Sequence, residues 1–332
     1  MATIRRVTIL GDGGWGTCLG ILLSAQGHPV TLWGAFPAYV EQVRRTRENV
    51  KFLPGVAIPP AVKLTADFAE ASADAEVIVV AVPSQYLRQV LERLRVGPWE
   101  RALVVSVVKG IEPETLLRMS ERIRQSVPVR RLAVLSGPSI SYEVARGIPT
   151  TVVAASEDER LAREAQELFS TERFRVYTSA DVAGVELGGA LKNVIAIACG
   201  AADGLGFGTN TKAALATRGL VEMARLGVAM GAQERTFSGL SGLGDLITTC
   251  FSPHSRNRRV GEEIARGKAV AEVTGKMEQV AEGVTTTRSA QALARKHQVE
   301  MPITAAVYQV LYEGKPPKDA VRELMLREPK PE

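Results

Sequence analysis

A glycine-rich segment near the start of the chain constrains its fold more than any other feature. Val7–Leu10 is a short apolar run, and Gly11-Asp12-Gly13-Gly14-Trp15-Gly16 follows it as a complete G-x-G-x-x-G. Only glycine permits the tight turn, the close approach of a pyrophosphate and the close packing of a helix on a strand. A helix that begins there also presents backbone N–H groups and positive potential to phosphates. The segment therefore predicts a dinucleotide site at Gly11, Gly13 and Gly16.

The pattern that follows predicts an α/β fold. Apolar runs rich in Val and Ile occur at residues 7–10, 30–33, 77–82, 103–107, 132–135 and 151–155, with amphipathic stretches between them. Such alternation is typical of a Rossmann-like, doubly wound parallel sheet. From residue 181 the pattern is helical and is punctuated by Gly and Pro. We therefore predict a dinucleotide-binding domain over residues 1–180 and an all-helical, substrate-binding domain over residues 181–332.

The composition excludes several classes of protein. Hydrophobic residues make up 45% of the 332 residues and charged residues 23%, which excludes a disordered or collagen-like chain. The net charge of +5 comes without a dense basic run, which favours an anionic small molecule and argues against nucleic acid. Three scattered cysteines and three scattered histidines suggest neither a metal site nor a disulfide framework. No signal peptide or membrane-inserted segment is recognised, so a cytoplasmic location is expected.

The sequence leaves the choice between NAD and NADP open. An acidic residue is expected at the end of the second strand, where it would bind the ribose 2′-hydroxyl. Residues 32–37 contain neither a carboxylate nor an arginine. Trp33 fits a packing role there, and Arg44 or Arg45 in the following helix could reach a 2′-phosphate.

Two strand ends in the first half carry small or basic residues. Lys109 follows the strand at 103–107, and the loop Ser136-Gly137-Pro138-Ser139 follows the strand at 132–135. Ligands of open α/β sheets bind outside the carboxyl ends of the strands, so Lys109 is expected to point toward the cleft. Each feature has a plain alternative, an exposed loop lysine in one case and a helix cap at Ser139 in the other.

The helical half contains three polar features in unusual surroundings. Lys192 lies in an apolar helix, where a lysine must reach solvent, find a partner or line a cleft. Asp245 is the one acid in a glycine-rich turn, and a helix N-cap is its plain alternative. Ser255-Arg256-Asn257 resembles a helix start that would bind phosphate, with an ordinary basic surface helix as the alternative.

These motifs together resemble the bacterial-type NAD(P)-dependent glycerol-3-phosphate dehydrogenases over nearly the whole chain. The later segments carry the resemblance more specifically than the glycine turn does. The matching segments are residues 11–16, 49–55, 108–110, 135–139, 187–196, 239–246, 255–259 and 280–283.

The resemblance implies a reaction and a set of site residues. The reaction is reversible hydride transfer between a nicotinamide and dihydroxyacetone phosphate or sn-glycerol 3-phosphate, which would feed glycerophospholipid synthesis. Lys192 would be the general acid and base, with Lys109 and Asp245 as further catalytic residues in the same pocket. The substrate-binding set would be Lys109, Gly137, Ser139, Lys192, Asn193, Asp245, Thr249, Ser255, Arg256 and Asn257. The cofactor-binding set would add Gly14, Trp15, Lys109, Ser141, Arg256, Val280 and Glu282 to the glycine turn. No metal is implied, and a homodimer is left open.

Three positions depart from that family pattern. Gly14 stands where serine is usual, Ser141 where alanine is usual, and Ala35-Phe36 where basic residues often meet the 2′-phosphate. These departures bear on the preference for NAD or NADP rather than on the reaction. Two alternatives remain, a dehydrogenase for another small acid and a dinucleotide-binding sensor or scaffold without turnover. The helix start at Ser255-Arg256-Asn257, which would bind a phosphate, argues against a substrate that is another small acid. The presence of Lys109, Lys192 and Asp245 argues against a sensor or scaffold without turnover.

Overall fold

The chain packs as two compact units. The computed structural model describes residues 3–329 and 331. The first unit contains the chain up to Lys109 together with Leu117–Glu186, and the second contains Gly110–Leu116 and the chain from Leu187 onward. The packing changes within the helix that begins at Val182, just after the boundary that the sequence places at residue 180. Nothing in the sequence pattern indicates that residues 110–116 group with the helical unit.

The described part of the first unit is built on one eight-stranded sheet. Its strands are β1 (Val7–Leu10), β2 (Val30–Trp33), β3 (Lys63–Thr65), β4 (Val77–Val80), β5 (Leu103–Ser106), β6 (Arg131–Ser136), β7 (Thr150–Ala155) and β8 (Phe174–Ser179). Their order is β3-β2-β1-β4-β5-β6-β7-β8. Neighbouring strands are parallel except β6 and β7, which are antiparallel. The predicted Rossmann-like sheet is confirmed, with this one antiparallel pair as an addition.

The two strands that the sequence did not reveal lie at the edges of the sheet. β3 has three residues, and β8 alternates buried and exposed residues along its first half. By contrast, all four residues of β1, β4 and β5 are buried. Central strands covered on both faces give continuous apolar runs, whereas edge strands do not. This difference explains why the predicted strands are the central ones.

Successive residues of the central strands enter two separate hydrophobic clusters. Ile9 and Val79 belong to the cluster on one face of the sheet, and Leu10 and Ile78 to the cluster on the other. Full burial of such a side chain is worth about 1.5–3 kcal/mol. The covering helices are α1 (Gly14–Ala25), α2 (Pro37–Thr46), α3 (Phe68–Ser72), α4 (Leu87–Arg93), α5 (Met119–Ser126), α6 (Ser141–Ala145) and α7 (Glu159–Phe169).

The second unit is helical, as predicted. Its helices are α8 (Val182–Gly204), α9 (Thr209–Ala229), α10 (Glu234–Phe237), α11 (Asp245–Phe251), α12 (Arg256–Ala265), α13 (Val270–Gly275), α14 (Glu282–Lys296), α15 (Pro302–Tyr312) and α16 (Pro317–Met325). A π-helical turn, Leu240–Gly244, leads directly into α11. The sequence did not reveal α10, α11 or α13, because helices of 4, 7 and 6 residues are too short to show a 3.6-residue period.

Helix α8 packs against α12 with the two backbones in contact. A Cβ on Gly200 would lie 1.8 Å from the carbonyl oxygen of Arg258, and one on Gly261 would lie 2.0 Å from that of Ile197. Glycine is therefore required on both helices at this crossing.

By length and composition α8 is the one helix in the described residues that could cross a membrane. Most of its apolar window, 83%, is buried inside the protein. Such burial is typical of the core helix of a water-soluble protein.

Candidate active site

The glycine turn has the form that a dinucleotide pyrophosphate requires. Gly11 has φ +114°, and a Cβ there would lie 2.7 Å from the carbonyl oxygen of Ala81, just after β4. A Cβ on Gly16 would lie 1.9 Å from the carbonyl oxygen of Gly11. Gly13 is the N-cap of α1, and no other group lies within 4 Å of the position that a Cβ on Gly13 would occupy. The turn is thus tight on the protein side and open at the helix N-terminus, which fits the cofactor.

This turn lies at the switch point of the sheet. β1 is flanked by β2 on one side and by β4 on the other, so the chain order reverses there. Cofactors of doubly wound folds bind in the crevice at such a point.

Trp15 and Trp33 both have structural side chains. The Trp15 ring lies 6.3 Å from that of Phe174 and packs on the core of the sheet. A contact of Trp15 with the cofactor would therefore come from its backbone in the first turn of α1. Trp33 is 4% exposed and donates from Nε1 to the carbonyl oxygen of Ala66 at 3.0 Å.

Asn49 is a supporting residue to which the sequence assigned no role. It is fully buried, and its Nδ2 donates to the carbonyl oxygen of Asp12 at 2.7 Å and to Oγ1 of Thr17 at 2.8 Å. Its Oδ1 accepts from the hydroxyl of Tyr39 at 2.6 Å. Asn49 thereby ties the segment 49–55 to the glycine turn, close enough that a Cβ on Gly14 would lie 2.5 Å from the carbonyl oxygen of Phe52. The signal in the sequence is that Asn49 begins the segment 49–55, which matches the family pattern.

Lys109 is fixed by the loop that follows the neighbouring strand. Its Nζ donates to the carbonyl oxygen of Gly137 at 2.9 Å and lies 3.4 Å from Oγ of Ser139. Helix α6 has Ile140 as its N-cap, so the capping role considered for Ser139 is wrong. Ser139 donates instead to the carbonyl oxygen of Gly137 at 2.9 Å. The ends of β5 and β6 are thus joined through one cation.

Ser141 is the first residue of α6 and lies beside the glycine turn. Its Oγ would be 3.9 Å from a Cβ added to Gly14. The two positions that depart from the family pattern are therefore neighbours in space.

Lys192 is buried and paired inside the second unit. It is 6% exposed and forms an ion pair with Asp245, which is 1% exposed. Its Nζ also donates to Oγ1 of Thr249 at 2.7 Å, and that hydroxyl donates to the carbonyl oxygen of Asp245 at 2.7 Å. The alternative in which Lys192 extends to solvent is therefore wrong. Asp245 pairs with Lys192 and is not the N-cap of α11.

Helical spacing explains why these groups meet. Gly188 and Lys192 are four residues apart on α8, so they share one face. A Cβ on Gly188 would lie 2.5 Å from the carbonyl oxygen of Ser241, so the π-helical turn rests on the backbone of α8. Asp245 follows Ser241 by four residues and consequently faces Lys192. Turns of this π type are frequent at functional sites.

Asn193 and Asn257 form a second buried cluster with Gly283. Nδ2 of Asn257 donates to Oδ1 of Asn193 at 2.8 Å, and the N–H of Gly283 donates to Oδ1 of Asn257 at 2.9 Å. A Cβ on Gly283 would lie 2.6 Å from the carbonyl oxygen of Asn193. The cluster joins α8, α12 and α14.

The start of α12 is basic, but most of its side chains contact other groups of the protein. Ser255 is the N-cap, and its Oγ accepts from the N–H of Arg258 at 3.2 Å. Arg256 is exposed, and its Nη1 donates to the carbonyl oxygen of Val280 at 2.7 Å. Glu282 begins α14 just after that contact. Arg256 and Arg259 are the exposed arginines of this helix start.

The three cysteines and His28 are buried in the protein. Cys18, Cys199 and Cys250 are buried free thiols, and burial raises the pKa of Cys18. Residues 3–329 contain no cluster of three or more His, Cys, Asp or Glu side chains suited to a metal ion. His28 is 4% exposed and accepts at Nδ1 from the N–H of Arg5 at 3.1 Å.

Comparison with known proteins identifies the family. The model of the NAD-dependent glycerol-3-phosphate dehydrogenase N-terminus matches residues 6–162, and that of the C-terminus matches residues 181–322. The chain belongs to the NAD-dependent glycerol-3-phosphate dehydrogenase family.

Individual relatives in this family are similar over their full length. The chain is 51% identical over 331 residues to a glycerol-3-phosphate dehydrogenase [NAD(P)+] of Geobacter sp. (strain M21), covering 99% of each chain. It is 49% identical to the enzyme of that name from Prosthecochloris aestuarii, covering 98% of this chain and 99% of the relative. The crystal structure of glycerol-3-phosphate dehydrogenase from Coxiella burnetii has a TM-score of 0.93 at 37% identity, covering 98% of this chain and 99% of that one. Membership confirms the expected oxidoreductase class and an NAD or NADP cofactor.

Proposed function

We propose that the protein interconverts dihydroxyacetone phosphate and sn-glycerol 3-phosphate, with Lys192 as the general acid and base. The observation that carries this proposal is the buried group of Lys192, Asp245 and Thr249. A buried ion pair is weak evidence for stability, because desolvation of the two charges offsets their attraction. Such a pair in a family of dehydrogenases is better explained by chemistry.

The first unit supplies the glycine turn of the proposed cofactor site. The glycine turn and the first turn of α1 would hold the pyrophosphate. Further contacts are proposed from Lys109, Ser141, Arg256, Val280 and Glu282. A bound nicotinamide supplies or accepts the hydride at C2 of the substrate.

Lys192 moves the proton that the reaction requires. When hydride reaches C2 of the ketone, negative charge develops on its oxygen. The ammonium of Lys192 transfers a proton to that oxygen, and the neutral amine takes it back in the reverse direction. Asp245 stabilises the ammonium form, while Thr249 fixes the position of Nζ. A positioned acid or base of this kind contributes about 10²–10⁴-fold in rate.

Lys109 is proposed to stabilise the developing charge without transferring the proton. Its ammonium is held by the carbonyl oxygen of Gly137, which leaves the cation fixed at the end of β5. Gly137 and Ser139 would contact the same substrate. Preorganised charge of this kind lowers the barrier because it needs no reorganisation during the reaction.

The substrate phosphate is proposed to bind at the start of α12. Arg256 offers a guanidinium for a bidentate contact, and the backbone at Ser255 and Asn257 adds the helix N-terminus. Asn193 and Asn257 would set the position of this helix start relative to Lys192 on α8.

The product has an expected use in the cell. sn-Glycerol 3-phosphate would supply glycerophospholipid synthesis, and the cytoplasm is the proposed location. A small phosphorylated molecule is the expected partner, and neither nucleic acid nor membrane insertion is part of the proposal.

Initial rates with matched ketones test the substrate assignment. Purified protein should oxidise NADH or NADPH with dihydroxyacetone phosphate. It should show little oxidation with unphosphorylated dihydroxyacetone or with pyruvate at the same concentration. Equal kcat/KM for dihydroxyacetone and its phosphate would contradict the assignment, since the phosphate would then contribute no binding energy.

A further inference from the structure

The second residue of the glycine turn places its carboxyl group at the end of β2. A Cβ added to Gly34, the residue after β2, would lie 2.3 Å from Oδ2 of Asp12. The N–H of Gly34 donates to the carbonyl oxygen of Thr65 at 3.1 Å, which holds this backbone against β3. Position 34 therefore accommodates no side chain, because the carboxyl group of Asp12 occupies the space.

Oδ2 of Asp12 is buried and has no hydrogen-bond partner within the described part of the chain. The backbone of the same residue is well held, since its carbonyl oxygen accepts from Nδ2 of Asn49 at 2.7 Å. Burial raises the pKa of Asp12 to about 6, while a hydrogen bond from its own backbone N–H and, to a lesser extent, the nearby charge of Lys51 oppose that rise. The carboxyl group is therefore mostly ionised above neutral pH. A buried carboxylate oxygen without a donor is costly, so a donor supplied by a ligand would be bound strongly.

We propose that Asp12 selects the cofactor by accepting a hydrogen bond from the adenosine ribose 2′-hydroxyl of NAD and repelling the 2′-phosphate of NADP. In dinucleotide-binding folds an acidic residue at the end of the second strand takes the ribose hydroxyl. Here β2 ends without one, and the glycine turn delivers the carboxylate to the same place. This inference rests on the proposed function only in that the turn must bind a dinucleotide.

The charges around Asp12 favour the same conclusion. Residues 34–36, which connect β2 to α2, contain no basic side chain. Arg44 and Arg45 lie in the last turn of α2, about 10 Å along the helix axis from its first residue at 1.5 Å per residue. Arg44 pairs there with Glu41. Lys51, whose Nζ lies 5.2 Å from the centre of the Phe52 ring, is the cation whose charge lowers the pKa of Asp12.

Direct binding measurements on the unliganded protein test this assignment. NADH and NADPH differ only at the 2′ position, so the ratio of their dissociation constants isolates that contact. At pH 7.5, without substrate, calorimetric or fluorescence titration of the natural protein should give NADH at least about tenfold tighter binding than NADPH. Asp12→Ala should bring the ratio to within about threefold. Asp12→Asn, which keeps the shape and removes the charge, should strengthen NADPH binding.

Glu167→Gln is the matched control. It makes the same change of charge at an exposed site on α7 and should leave the ratio unchanged. NADPH binding as tight as NADH in the natural protein, or a ratio that both Asp12 variants leave unchanged, would overturn the assignment. The comparison of NADH with NADPH in the natural protein needs no variant. The test therefore remains even if an Asp12 variant fails to fold. If neither nucleotide binds, the dinucleotide site itself is wrong, and the Asp12 assignment is wrong with it.

Discussion

At the scale of single residues, the site depends on where side chains find partners. Both Lys192 and Asp245 stand out in the sequence as charges in apolar or glycine-rich surroundings. Their pairing could not be predicted, because it depends on a π-helical turn that rests on Gly188. The same limit applies to Asp12 and Asn49, whose contacts come from residues distant in the sequence.

Substitution of Arg256 tests the phosphate site at this scale. Arg256→Ala should raise KM for dihydroxyacetone phosphate by about one to two orders of magnitude, because a charge-assisted contact is worth about 1.5–3 kcal/mol. Some loss in kcat is expected if Arg256 also contacts the cofactor. Steady-state kinetics would measure both, with Arg259→Ala on the same helix as the control. An unchanged KM would place the phosphate elsewhere.

At the scale of elements, helix α8 organises the catalytic unit through close backbone contacts. Gly188 admits the π-helical turn, while Gly200 and Gly261 allow α8 and α12 to touch. A side chain at these positions would separate the elements that carry Lys192, Asp245 and Arg256.

Gly261→Ala should therefore destabilise the protein. The new Cβ would lie 2.0 Å from the carbonyl oxygen of Ile197, and backbone shifts of this kind cost about 1–3 kcal/mol. Denaturant unfolding would measure the change. Gly275→Ala is the control, since nothing lies within 4 Å of its Cβ position and this substitution should be neutral or stabilising. Equal stability of the two variants would argue against tight packing of α8 on α12.

Glu222 makes the attachment of α15 depend on pH. It is 2% exposed, and its carboxyl group accepts from the N–H of Ile303 at 2.6 Å and of Thr304 at 3.0 Å. Burial raises its pKa from 4.5 to about 7. Because the folded-state pKa is the higher one, this group's contribution to stability is full below pH 4.5 and is lost as pH rises toward 7.

The expected slope is at most about 1.4 kcal/mol per pH unit between these values. Glu222→Gln should remove that pH dependence from the free energy of unfolding, although it also loses one acceptor. Glu234→Gln, at an exposed site on α10, should keep it. Identical slopes for the natural protein and Glu222→Gln would show that Glu222 keeps its ordinary pKa.

At the scale of the whole molecule, the architecture was largely readable from the sequence. Central strands are recognisable as continuous apolar runs, and long helices show a 3.6-residue period because one face of each is buried. Edge strands such as β3 and β8 lack such a run, and helices of fewer than two turns such as α10 are too short to show the period. The grouping of Gly110–Leu116 with the helical unit could not be predicted either, because it follows from tertiary packing alone.

The central claim is that Lys192 transfers the proton to the C2 oxygen, and Lys192→Met tests it most directly. The variant keeps much of the side-chain volume while removing the charge and the proton. It should lose about 10²–10⁴ in kcat. Its affinity for NADH, measured by fluorescence titration, should change little, because the pyrophosphate rests on the glycine turn. Lys276→Met, the same change at an exposed site, should keep full activity. Normal NADH binding with a kcat within a few-fold of the natural protein would contradict the claim, since the proton would then come from another group.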